Sequence, residues 1–311
     1  MARIEGRVDA DGPMRLDRYI ADVAGILTRS QLKARLEDAR VNGKAAKLSR
    51  EVKANDRYEL SLRDEEDRAD LAEDIDLSVL FENDSVIVVD KAQGMVTHPA
   101  HGNWSGTLAN ALLGRLTRAA GTDAPARAGI VHRLDKDTSG VIIAAKTAAA
   151  QEFLAAQFRA RSTVKVYLAV VQGAPPADTG RLDTQLARDP RDRKRFAVSP
   201  EGTGKRALTE WRVLARSAGY TLLALRLYTG RTHQLRVHCR HIGCPILGDP
   251  VYGRKDARFP DATLMLHARE LRIVLPGEAD SRRFLAPVPD RFAEVLRRVG
   301  MDAVVDGAGS G

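Results

Sequence analysis

Cysteine is nearly absent: Cys239 and Cys244 are the only two in 311 residues, too few for a disulfide framework. No apolar run approaches the ~20 residues that cross a bilayer, and the opening stretch MARIEGRVDADG lacks the apolar core of a secretory leader. These absences predict a cytoplasmic protein with reduced thiols and no membrane contact. Aromatic residues make up only 5%, which argues against a chain that reads nucleic acid chiefly through stacked aromatic platforms.

Two further chemistries fail on spacing. His233, His238, Cys239, His241 and Cys244 fall within twelve residues, but they fit neither paired C-x-x-C nor H-E-x-x-H, so no metal site is expected. Gly202-Thr-Gly-Lys205 looks like part of a phosphate loop, yet Arg206 stands where Ser or Thr is needed and the upstream glycine is missing. No internal repeat is visible.

What the chain does have is positive charge. Lys plus Arg number 49 against 41 Asp plus Glu, a net +8, and such a surface favours polyanions, above all nucleic acid. The length suggests two domains. Residues 1–12 read as a tail and 13–62 as a small unit. Leu16, Tyr19, Ile20, Val23, Ile26 and Leu27 follow the stripe of a core-facing helix. Thr28 to Gln31 matches a capping box opening a second helix, on which Arg29, Lys33 and Arg40 share a basic face. Spacing alone does not separate an RNA-binding face from a merely solvated one. Asn42-Gly43 signals a tight turn, and Val52–Leu62 reads as a strand. Residues 63–78 are expected to be an acidic linker, since 63–76 carry eight acids against two arginines and such a stretch repels itself.

Residues 79–300 then form the large domain, with a flexible tail at 301–311. Strands are expected at Ser85–Lys91, Ala128–Val131, Gly140–Lys146, Val164–Gln172, Ala207–Leu214 and Tyr220–Tyr228. Helices are expected at Gln151–Arg161, Thr232–Ile242 and Asp290–Val299. Strands that follow one another, rather than alternating strictly with helices, predict an α+β fold with a mixed, mostly antiparallel sheet. A small αα-hairpin unit precedes it. The run Arg188–Arg195 mixes signs and reads as an exposed loop, or as a phosphate grip.

The most informative segment is 129–146, where a polar turn from His132 to Gly140 lies between two apolar strands. Rigid flanks fix side chains in such a turn, which a site requires. Asp135 sits among His132, Arg133 and Lys136, cations expected to keep it ionised. A polar turn held by its own Asp and Ser hydrogen bonds would look the same.

His132-Arg-Leu-Asp135 followed by Asp137-Thr-Ser-Gly140 resembles the signature of the RluA/RluD family of RNA pseudouridine synthases. Lys165-Val-Tyr167, Thr229-Gly-Arg-Thr-His-Gln-Leu-Arg236, Gly248-Asp-Pro-Val-Tyr-Gly253 and Leu266-His-Ala268 resemble later motifs of that family, in its order. The unit at 13–62 is similar to the S-four type RNA-binding fold. One departure is Lys91-Ala-Gln-Gly94, where the family has Lys-Pro-x-Gly; the missing proline is expected to loosen a turn. The segment Gly102–Leu113 resembles the RluD branch, which implies large-subunit ribosomal RNA as the substrate.

The resemblance implies a reaction that detaches uracil from its ribose, turns it, and reattaches it through carbon, with no cofactor. Asp135 is implied as nucleophile or base, and Arg236 as its charge partner. Tyr167 stacks on the flipped base, Arg133 fills the vacancy or holds a phosphate, and Leu266 lines the pocket. His132, Arg231 and His233 are expected to face RNA, with Arg29, Lys33 and Arg40 contacting it from the small unit. The competing readings are a non-catalytic RNA-binding or ribosome-assembly factor, a synthase acting on tRNA or another ribosomal RNA site, and a metal-dependent nuclease, for which the sequence lacks a clustered set of carboxylates.

Overall fold

The computed structural model describes residues 2–62 except 28, 30, 31, 33 and 34, and 72–301 except 100–102, 121–128, 193 and 194. The chain divides into two compact units, Met1–Arg68 and Ala69–Gly311.

In the smaller unit, β1 (Ala2–Arg7) pairs antiparallel with β6 (Arg57–Leu62) along its whole length, from Ala2 opposite Leu62 to Arg7 opposite Arg57. The expected tail is therefore a strand. β2 (Met14–Arg15) and β5 (Glu51–Val52) form a separate two-stranded ladder. β3 (Leu36–Val41) takes the other edge of β6, and β4 (Lys44–Ala45) completes the four-stranded order β1-β6-β3-β4. Asn42 and Gly43 both adopt positive φ, 52° and 76°, as a two-residue hairpin turn requires. Alternation along β6 buries Tyr58, Leu60 and Leu62.

The helical part is shorter than the sequence stripe suggested. α1 (Leu16–Arg18) runs into a π-helical turn at Tyr19–Val23, and Gly25 at φ 63° breaks the run. Leu16, Tyr19 and Ile20 reach the core, whereas Val23 and Ile26 lie past the usable face and are exposed. Arg29, Leu32 and Arg35 are helical, with Leu32 fully buried. The expected cap residues Thr28 and Gln31, and Lys33, lie outside the described residues. Arg40 belongs to β3, not to a helix, where it bonds Asp38 at 3.0 Å. The described part of this unit thus sets two helical stretches, one at 16–23 and one holding Arg29, Leu32 and Arg35, beside an antiparallel sheet.

The larger unit is built on an eleven-stranded sheet in the order β13-β12-β14-β15-β11-β16-β10-β8-β7, with β9 on β10 and β17 on β16. These strands are β7 (Ser78–Glu82), β8 (Val86–Lys91), β9 (Gly129–Ile130), β10 (Ser139–Ala145), β11 (Val164–Gln172), β12 (Thr179–Arg188), β13 (Phe196–Ser199), β14 (Lys205–Ser217), β15 (Tyr220–Leu227), β16 (Leu266–Val274) and β17 (Ser281–Leu285). The pairing of β10 with β16 is parallel and the others are antiparallel, so the expected mixed, mostly antiparallel α+β fold holds.

β10 is an apolar run with all seven residues buried, as a strand covered on both faces must be. α2 (Leu108–Ala120), α3 (Ala148–Ala160), α4 (Gln234–His241) and α5 (Asp290–Arg298) are its described helices. α3 starts earlier than expected because the Thr147 hydroxyl accepts the Ala150 N–H and caps it.

The acidic stretch is not a free linker where it is described. Glu73 accepts the Gly106 N–H at 3.0 and 3.1 Å, Asp74 pairs with Arg118, and Ser78 already belongs to β7. Met301, expected in the tail, is buried.

Candidate active site

The turn between β9 and β10 is pinned on both sides of Asp135. The Thr97 hydroxyl donates to the Leu134 carbonyl at 2.7 Å and accepts the Leu134 N–H at 3.3 Å. Gly94 N–H donates to the Lys136 carbonyl at 2.9 Å, and Thr138 N–H to that of Asp135 at 3.1 Å. Lys91 is fully buried and donates to the carbonyls of Met95, Ala92 and Lys136 at 2.7, 2.9 and 3.2 Å. Burial pushes its ammonium down to about 8, with the charges of Asp137 and Asp135 opposing.

Gln93 follows in the departing motif. Its amide donates to the carbonyls of Asp137 and Leu264 at 2.9 and 3.2 Å and accepts the Thr263 hydroxyl at 2.9 Å. The turn that lacks the proline is therefore braced by a side chain rather than loosened.

Arg236 approaches Asp135 from α4, with Nη1 3.8 Å from Oδ2; the Asp135 side chain is 22% exposed and that of Arg236 5%. The stronger grip on Arg236 comes from Asp249, whose carboxylate accepts Nε at 2.8 Å and Nη2 at 2.7 Å. Asp249 is held in turn by the N–H groups of Val251 and Tyr252, and the guanidinium lies 5.1 Å over the Tyr252 ring. Burial works against the charge on Arg236, but Asp249, with Asp135 behind it, holds the guanidinium above its usual range.

Gln234 fixes the loop that delivers Arg236. Its carbonyl accepts the Thr229 hydroxyl and the Arg231 N–H at 2.8 and 3.0 Å, while its amide donates to the Leu208 carbonyl and Thr209 hydroxyl at 3.0 and 2.9 Å. All four bonds are made, which a buried amide requires.

A cleft of about 520 Å³, open to solvent, brings together Asp135, Arg133, Tyr167, Leu266, Arg231, His233 and Arg236. Asp135 is the one carboxylate among its lining residues. Tyr167 lies at an irregularity in the β11–β16 register, and burial, then the charge of Asp135, raises its phenol above the ordinary range. It is a neutral ring at pH 7. His233 takes a positive φ of 58° and bonds the Tyr252 hydroxyl through Nδ1 at 2.9 Å. Burial lowers its imidazole despite Asp135. Arg133 is exposed at the mouth, and Arg231 bonds the Arg206 carbonyl at 3.0 Å.

His132 is not part of this lining. Its ring stacks on Phe158 at 4.5 Å, its Nε2 accepts the Ile143 N–H at 3.0 Å, and burial pushes it down to about 3, aided by Lys165. It is a neutral brace for the turn, because a ring already bonded to β10 and stacked on α3 cannot also reach the cleft. Arg29 bonds Asp17 at 3.2 Å in the smaller unit. His238 bonds Thr184 and Thr209, each at 2.9 Å, and both cysteines are buried thiols. Among the described residues no group of three or more His, Cys, Asp or Glu is placed to hold a metal. Nor is any described helix long and apolar enough to cross a membrane.

Sequence reasoning missed Lys91, Gln93, Thr97, Gln234, Asp249 and Tyr252 as parts of the site. Two signals were available for Lys91: it closes the apolar strand VIVVDK, and it opens the Lys91-Ala-Gln-Gly94 motif.

Asp135 and the buried guanidinium of Arg236 thus meet in a cleft that the Tyr167 ring also lines, on a large mixed sheet. Residues 85–241 match the RNA pseudouridylate synthase family. The chain belongs to that family. It is 41% identical over 294 residues to the ribosomal large subunit pseudouridine synthase D of Borreliella burgdorferi, covering 92% of this chain and 90% of that one. Its counterpart in Neisseria meningitidis serogroup A is 37% identical over 305 residues, covering 94% of this chain and 80% of that one. Human RNA pseudouridylate synthase domain containing 4 shares the fold, at TM-score 0.61 and 24% identity over 72% of this chain and 93% of that one. The activity is that of an RNA pseudouridine synthase, an isomerase.

Proposed function

We propose that this enzyme isomerises uridines of large-subunit ribosomal RNA in the cytoplasm, with Asp135 acting on a uridine flipped into the cleft. The names of its relatives support the substrate. The N1–C1′ bond breaks, uracil turns, a C5–C1′ bond forms, and the proton lost from C5 is balanced by one gained at N1. Atoms and electrons balance within the substrate, so the reaction needs no cofactor.

The observation that carries this reading is the Asp135–Arg236 approach at 3.8 Å inside the cleft. A carboxylate there can attack the sugar or take a proton, with the Arg236 guanidinium beside it. Tyr167 stacks on the base, and Leu266 forms the wall. Arg133 enters the gap in the RNA and offsets part of the few kcal/mol that extrusion costs. Arg231 and His233 line the approach. The smaller unit, with Arg29, Lys33 and Arg40, binds RNA in the manner of an S-four type domain. A bare binding factor has no need of the trio Asp135, Tyr167 and Arg236.

The test is Asp135→Asn. Pseudouridine formation is expected to vanish while RNA affinity stays within about twofold, since the exposed cations that carry most of the affinity are untouched. Unchanged turnover would remove Asp135 from the chemistry.

A further inference from the structure

Next to the cleft lies a second pocket that the reaction does not use. It holds about 670 Å³ of space open to solvent, and Arg195, Phe196, Val198, Arg240, His241 and Tyr252 are among the residues that line it. Its floor is apolar: Val237 and Tyr252 are buried, with Phe196 and Val198 packed against them. Its rim carries an arginine and a histidine. Arg240 and His241 are exposed on α4, and among the described residues neither pairs with a carboxylate. Asp189 is the acid in the lining, and its carboxylate already accepts the Arg191 N–H at 2.9 Å within its own turn.

This pocket shares a wall with the catalytic cleft. The His233 ring, which lines the cleft, meets Phe196 edge-on at 5.9 Å and Tyr252 at 5.5 Å. Phe196 N–H donates to the Tyr252 hydroxyl at 2.8 Å, and Arg195 donates to the Val251 carbonyl at 3.1 Å. The β12–β13 hairpin therefore clasps the turn whose Asp249 holds Arg236. An aromatic ring beside an unpaired arginine and an exposed histidine, next to the catalytic cleft, is the chemistry that takes up a nucleotide of single-stranded nucleic acid.

We propose that this pocket is a subsite for the nucleotide adjacent to the reacting uridine, its phosphate on Arg240 and His241 and its base against Phe196. The inference rests on the reading that the RNA strand enters at Asp135. It explains why Arg195 and Phe196 lie against the turn at 249–252 instead of standing free.

The experiment compares the full-length wild type with Arg240→Ala/His241→Ala, with Phe196→Leu, and with Arg159→Ala, an exposed arginine on α3, as control. The substrate is an unmodified transcript of large-subunit ribosomal RNA, and initial rates give kcat and KM. The double variant and Phe196→Leu are expected to raise KM about tenfold with kcat held, as losing a phosphate contact or a stacked base does. The salt slope of affinity should become shallower by about 0.7 for the Arg240 contact. Arg159→Ala should behave as wild type. Equal KM values for wild type and both pocket variants overturn the proposal, and so does an equal loss in the control.

Should the wild type leave that transcript unmodified, the ribosomal reading fails. The pocket is then judged by fluorescence anisotropy with a fluorescein-labelled 20-nucleotide RNA of random sequence. Weaker binding by the pocket variants alone supports it, and equal binding by all four proteins overturns it.

Discussion

Asp249 takes Nε and Nη2 of Arg236 at 2.8 and 2.7 Å, which leaves Nη1 as the nitrogen nearest Asp135, at 3.8 Å. The buried pair fixes a charge whose other face serves the cleft. Burial raises the Asp249 carboxyl, but the Arg236 hydrogen bonds and charge outweigh it and keep the group below its usual range. The order of events is structural: Asp249 orients Arg236, and Arg236 orients the field at Asp135.

Asp249→Ala strips the bidentate partner from a guanidinium whose side chain is 5% exposed, leaving it Asp135 at 3.8 Å. Breaking one partner of a buried pair costs about 3–5 kcal/mol. Urea denaturation should show a loss of that size, and turnover should collapse with it. A stability change below about 1 kcal/mol would mean the pair contributes little to folding.

Arg236→Lys keeps the charge but loses the planar fork. A lysine cannot engage both Asp249 oxygens and still point at Asp135, so turnover should fall by about 100-fold or more, with KM little changed. Wild-type rates in this variant would show that a point charge suffices.

Acid should destabilise the protein before its carboxylates titrate. Burial pushes His238 down to about 4 and His267 to about 3, against about 6.5 in an unfolded chain. Between those values the unfolded state binds the extra protons, so stability falls as pH drops from 6.5 towards 4. The slope is up to about 1.4 kcal/mol per pH unit for each histidine. Denaturation at pH 6.5, 5.5 and 4.5 measures it, and His238→Gln should flatten the profile by about one proton. A level profile over that range would contradict neutral burial.

Removing residues 1–62 should leave a folded catalytic unit, because the contacts divide the chain near Arg68. Turnover on a short RNA carrying the target should persist, while affinity for the full transcript falls and its salt dependence flattens. Loss of turnover on both substrates would make the smaller unit part of the chemistry.

Much of this arrangement was legible in the sequence. β8, β10, β11 and β15 fall within a residue or so of their expected bounds because each is an apolar run between turn signals. Seven of the residues carried over by motif share one cleft. β16 escaped notice because Glu270 and its arginines suggest an exposed loop; Glu270 is in fact buried and held by Arg272 and by Arg283 at 2.7 Å. α2 was hidden by Gly114, a poor helix former, required because a side chain there would meet the Glu73 carbonyl. Asp249 was quoted as part of a motif without a role, since no spacing rule says which arginine a carboxylate will find. His132 belongs to the motif yet is taken up by the Ile143 N–H and the Phe158 ring, contacts that no motif spacing announces.

Asp135 precedes β10, whereas Tyr167, Leu266 and Arg236 belong to β11, β16 and the helix after β15, so the chemistry spans two antiparallel blocks. The sheet ladder between those blocks, among the described residues, is two parallel pairs, Ser139 with His267 and Gly140 with Ala268, beside the Gln93 bonds to Leu264 and Thr263. At Gly140, with φ 117°, any added carbon would stand 2.2 Å from the Ala268 oxygen. That joint tolerates no side chain, so a methyl group added there is expected to disturb the pairing of the two blocks that carry Asp135 and Arg236 without replacing any residue of the cavity.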